Sequence, residues 1–71
     1  MWKKIETTMM VADIKVGNII TDNPDDPTDM YKIISIYDGS VKGLHANGKL
    51  AIIIFTEDQL ISGTWWTKEG A

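Results

Sequence analysis

The chain has 71 residues and a net charge of −3, with seven lysines, no arginine, ten acids, one histidine and no cysteine. A chain this short holds one core, and without cysteine it has no disulfide, no thiolate metal site and no cysteine nucleophile. A domain of this size buries only roughly 60% of the surface its unfolded chain exposes, so self-association is the natural remaining source of stability.

Hydrophobic residues make up 44% of the chain, which fits a folded domain and not a disordered one. The absence of arginine, which supplies the planar forks that read bases and clamp phosphates, disfavours specific nucleic-acid recognition. The opening "MWKKIE" leads into no long apolar run, so no signal peptide is expected. No stretch approaches the ~18 apolar residues of a membrane span. The expectation is a cytoplasmic protein with no membrane partner.

In chain order, residues 5 to 12 read as a first strand, with Ile5, Thr7, Met9 and Val11 alternating with Glu6, Thr8, Met10 and Ala12. "ADIKVGN", 12 to 18, reads as an elbow in which Asp13 caps, Ile14 and Val16 point inward and Gly17 permits the turn. Residues 18 to 21 form a short strand. "DNPDDPTD", 22 to 29, is a loop, because its two prolines cannot donate to a ladder. Residues 30 to 37 form a third strand, and Asp38-Gly39-Ser40 turns it into a strand over 41 to 46. Asn47-Gly48, between two apolar runs, signals a hairpin into a strand over 49 to 55. Thr56 followed by Glu57 and Asp58 predicts one helical turn over 56 to 60. Residues 62 to 67 close the set as a last strand, and 68 to 71 form a loose tail of the single domain.

The fold class expected is therefore all-β: a small, bent antiparallel barrel or meander of five to six strands with one helical turn. The arrangement resembles SH3-like small barrels. "DIKVGNII", 13 to 20, is similar to the "D-x-K-x-G-D-x-I" opening of such barrels, with Asn18 where an acid is usual. The 22–29 loop takes the place of their RT loop, Asn47-Gly48 of their distal turn, and 56–60 of their 3₁₀ turn. The resemblance is topological and carries no activity. Tyr31 and Tyr37 lie within a strand and not in an "ALYDY" stretch, so peptide binding of the SH3 type is not implied.

Candidate chemistry is sparse. Asp22, Asn23, Asp25, Asp26 and Asp29 offer hard oxygens for Ca²⁺, but Pro27 and Ile33 stand where an EF-hand loop needs Gly and Glu. A solvated loop held by Asx turns is the expected reading. His45 has no serine or threonine at a spacing that marks a nucleophile, and is expected at a hairpin end or lining a binding surface. The glycines are scattered singly, which excludes a phosphate cradle. Gly43 and Gly63 fall inside strand patterns, where a bend is expected. No cofactor, metal site or catalytic residue is expected, and the chain is not expected to be an enzyme.

The main anomaly is apolar doubling. Along a strand, neighbours face opposite ways, yet "AIIIF", "WW", Ile33-Ile34 and Met9-Met10 are apolar on both sides. Such a second face normally marks an interface. The contact residues expected are Trp65, Trp66, Phe55, Ile53, Tyr31 and Tyr37, with Lys42 and His45 beside them. Small, acidic, cysteine-free domains of this kind resemble the accessory proteins that bacteriophages encode to bind and block a host factor. The function expected is a non-catalytic, homo-oligomeric binding protein directed at a host protein, with localisation in the host cytoplasm. Two alternatives remain open: a small anionic, nucleotide-like ligand held at an aromatic and Lys-lined subunit interface, and weak nucleic-acid binding by a small barrel.

Overall fold

The structure, a computed structural model, describes residues 1–45 and 51–70. Six strands form one antiparallel sheet in the order β1-β6-β2-β3-β4-β5: β1 Lys3–Lys4, β2 Ile19–Thr21, β3 Met30–Tyr37, β4 Ser40–His45, β5 Ile52–Phe55 and β6 Trp66–Lys68. Two short helices, α1 Thr8–Ala12 and α2 Glu57–Ser62, pack against each other. The all-β expectation holds. Among the described residues β1 and β5 are the two edges of the sheet, and no pairing closes it into a barrel.

The two hairpins follow from turn chemistry. Between Tyr37 and Ser40, which pair, Asp38 and Gly39 both adopt positive φ (51° and 77°). Two left-handed residues match the right-handed twist of the strands they join. The β4–β5 pairing runs from Val41↔Phe55 to Leu44↔Ile52, and the His45 N–H donates to the Ala51 carbonyl at 2.9 Å. The Asn47-Gly48 turn and the start of the 49–55 strand lie outside the described residues.

The segment expected as a first strand is corrected. Only Lys3–Lys4 pair as a strand, and Thr8–Ala12 is helical. Thr7 caps this helix, its hydroxyl accepting the Met10 N–H at 3.3 Å. Val11 and Ile14, three residues apart, face the core, whereas Met9 is 77% exposed. The Met9-Met10 doubling is thus two sides of a helix and not two faces of a strand. Asp13 caps the C-terminal end of α1, and Val16 points outward, contrary to the inward position expected of it. At the other end, Ser62 ends α2 and the last strand begins only at Trp66. A capping box accounts for the longer helix: Thr56 and Gln59 each accept the other's backbone N–H, at 3.2 and 2.9 Å.

The core is Ile5, Val11, Ile14, Ile20, Ile33, Val41, Phe55 and Leu60, all buried. Each such side chain contributes roughly 1.5–3 kcal/mol through burial. The sheet supplies one inner face, and α1 and α2 cover it with Val11 and Leu60. The tail also has a place. Gly70 lies so close against the Gly17 carbonyl that a Cβ there would overlap it, and Gly17 itself holds φ 96°.

Candidate functional site

Register divides the strand residues between two faces. On the inner face Phe55 stands beside Val41, Ile53 beside Gly43, and Tyr31 between Ile20 and His45. Their rings form a cluster: Tyr31 lies 4.7 Å from His45 and 5.1 Å from Phe55, and Phe55 lies 4.8 Å from Trp65. The arrangements are edge-to-face, the geometry that aromatic quadrupoles favour. Gly43 makes room for the cluster, because a Cβ there would stand 3.0 Å from the Tyr31 Cβ and 3.3 Å from the Phe55 ring.

The expected contact residues therefore separate. Phe55 is 6% exposed and belongs to the core, and Trp65 packs against it. Tyr31 and His45 are half-buried in the same cluster. Ile53 shares the inner face yet is 39% exposed, because it sits on the edge strand. Trp66, Tyr37 and Lys42 lie on the outer face. Of the tryptophan pair, Trp65 turns inward and Trp66 outward, as strand alternation requires.

The outer face is built in rows across the strands. One row runs Lys68, Ile19, Lys32, Leu44, Ile52, and another runs Lys4, Trp66, Thr21, Met30. Beyond the bulge between Ile33 and Ser35, a third runs Ser35, Lys42, Ile54. Lys68 also places its ammonium 4.7 Å over the Trp2 ring. Ile52 and Ile54 are more than half exposed and Tyr37 is 82% exposed.

Charge is sorted with equal clarity. Lys3, Lys4, Lys32, Lys42 and Lys68 lie in strands, whereas all ten acids lie in helices, turns and loops. Of Asp, Glu and Lys, a chain of net charge −3 thus places only Lys in its described strands, with Lys4, Lys32, Lys42 and Lys68 on the outer face. Pattern reading along the chain misses this face, since its lysines are far apart in sequence and meet only through register. Exposed Ile52 and Ile54 were legible as doubled apolar residues, but their company was not.

Tyr37, Lys42 and Ile54 line a recess of about 310 Å³ together with Ser35, Asp38 and Ser40. It offers one ammonium, two hydroxyls and a phenol against the single carboxylate of Asp38.

The acidic loop is a different kind of structure. The buried Thr21 hydroxyl donates to the Asp29 carbonyl at 2.5 Å and accepts the Asn23 N–H at 3.1 Å, so it ties both ends of the loop. Asn23 and Asp26 side chains accept the N–H groups of Asp25 and Thr28, forming the expected Asx turns. The hydrogen bond that the protonated Asp29 carboxyl donates to the Asp22 carboxylate raises Asp29 above its ordinary value, with partial burial and the neighbouring carboxylates adding to this and His45, 4.0 Å away, opposing it. Desolvation likewise raises the Tyr31 phenol, helped by Asp29 and Asp22. Among the described residues no group of three or more His, Cys, Asp or Glu side chains is arranged to hold a metal ion, and no helix is long and apolar enough to cross a membrane. The chain matches no family model, no curated protein and no solved structure.

Proposed function

We propose that this chain is a non-catalytic binding protein whose docking surface is the outer face of the sheet, and that its partner is an acidic protein surface which it covers and blocks. The observation that carries this reading is the segregation of charge. Lys32, Lys42 and Lys68 share this face with exposed Ile52 and Ile54 on the β5 edge and with half-buried Trp66 on β6, and no acid lies among the strand residues. Exposed aliphatic and aromatic side chains interspersed with one sign of charge suit a protein interface, and the charge steers a partner of opposite sign. The phage-type inhibitor of a host factor is the biological setting that composition favours for such a module, in the host cytoplasm.

The recess at Tyr37, Lys42 and Ser40 supports a second reading, a small anionic ligand held by the same face. Nucleic acid is the third, disfavoured by the absence of arginine.

The test is capture from an extract of the native host by the immobilised chain, run beside a Lys32→Glu/Lys42→Glu/Lys68→Glu variant with unchanged circular dichroism. The reading expects a protein held by the native chain, released as salt is raised, and not held by the variant. A protein held equally by both would contradict it. Capture of a small molecule or an oligonucleotide instead would favour the second or third reading.

A further inference from the structure

The two edges of the sheet are unlike. β1 is two residues long and both are lysine, a charged and short edge of the kind that resists further pairing. β5, Ile52–Phe55, carries no charge, no proline and no bulge, and its three isoleucines are 39–58% exposed. The direction of its free backbone groups follows from the β4 register. The His45 N–H donates to the Ala51 carbonyl, and hydrogen-bonded pairs alternate along an antiparallel ladder, so Ala51, Ile53 and Phe55 bond inward to β4. The N–H and C=O groups of Ile52 and Ile54 therefore point out of the sheet.

We propose that this edge is the site of self-association: a second copy of the chain adds its own β5 antiparallel to β5, about a two-fold axis at Ile53. The spacing is self-complementary. Ile52 of one copy lies opposite Ile54 of the second, and the two reciprocal pairs use all four outward groups of each strand in four hydrogen bonds. Ile53 meets Ile53 of the second copy on the axis as a non-hydrogen-bonded pair, where side chains approach most closely. On the outer face, each row then reads Lys42, Ile54, Ile52 and Leu44, the last two from the second copy. Six aliphatic side chains become contiguous, and the Lys42 side chains fall on opposite sides of them. They are separated by three strand spacings and a two-residue offset along the strands, about 16 Å, beyond the reach of strong repulsion at physiological salt. An uncharged strand with this symmetry favours its own copy over a charged partner strand. The contact is small, so association depends on concentration.

This inference does not rest on the docking surface proposed above: a monomer that still captured its partner would overturn this inference alone. The test is sedimentation velocity over a concentration series up to the millimolar range, with amide exchange read at its two ends. The expected result is a mass rising to twice the 7.9 kDa of the chain, together with slower exchange of the Ile52 and Ile54 amides at high concentration. Ile54→Pro removes an outward N–H without touching the β4 ladder and is expected to keep the chain monomeric with its circular dichroism intact. A mass of 7.9 kDa throughout, a dimer unaffected by Ile54→Pro, or a dimer in which the Ile52 and Ile54 amides gain no protection would each overturn the proposal. Should Ile54→Pro fail to fold, Ile53→Lys replaces it, and the exchange of the native chain decides.

Discussion

Trp65 and Phe55 pack edge to face with ring centroids 4.8 Å apart, while Trp66, the next residue, lies on the opposite side of the sheet. Adjacent identical residues thus do different jobs. Trp65 holds the inner face together, and Trp66 stands on the outer face, where the proposed docking surface lies.

Trp65→Ala is expected to lower stability by about 3 kcal/mol, the scale for removing an aromatic side chain packed against a core. Trp66→Ala is expected to cost under about 1 kcal/mol, because truncating it leaves no internal void. Urea denaturation followed by far-ultraviolet circular dichroism distinguishes the two. Equal losses would mean that both indoles are structural.

Gly43→Ala is expected to destabilise by about 1–3 kcal/mol, the cost of overpacking. Its new methyl would press on the Tyr31 Cβ and the Phe55 ring at 3.0 and 3.3 Å. Thermal unfolding measures this directly, and an unchanged midpoint would show that the cluster yields easily.

The capping box at Thr56 and Gln59 gives a third test. Thr56→Ala is expected to cost about 1 kcal/mol, since it frees the Gln59 N–H at the start of α2. Because Leu60 on this helix is fully buried, the loss should appear in global unfolding and not in local fraying.

Much of this architecture was legible in the chain. Strand 30–37, the turn at Asp38-Gly39, the acidic loop and the Thr56 cap all carry local signals strong enough to survive folding. The segment 5–12 did not, for a definite reason. "IETTMMVA" satisfies strand alternation, yet with the following "DI" it also places Val11 and Ile14 at helical spacing, and a five-residue helix is too short for periodicity to separate the two. The Thr7 cap and contact with α2 decide it. The outer face proposed for docking was half legible. Apolar doubling flagged Ile53, Phe55 and the tryptophans together, but which of them face outward depends on register. Register sends Phe55 and Trp65 inward and puts lysines from four strands on the same face as Ile52, Ile54 and Trp66.

Acidity should reveal the Asp22–Asp29 pair. The Asp29 carboxyl titrates above its ordinary value in the fold, so its charged form is disfavoured there. The resulting stability is present at low pH and lost as pH rises through the folded value. Asp22→Asn relieves the crowding, and its amide can donate to the Asp29 carboxylate. It is expected to stabilise by about 0.5 kcal/mol at neutral pH, the scale of exposed charge pairs, with the gain vanishing in acid. A gain independent of pH would point to some other cause.

The docking surface is tested most directly by zero-length carboxylate-to-amine cross-linking of the complex with the captured protein, read by mass spectrometry. The account predicts bonds from Lys32, Lys42 and Lys68 to acids of that protein. Bonds formed only through this chain's own acids, such as Asp25, Asp26, Glu57 and Asp58, would place the interface elsewhere and contradict it.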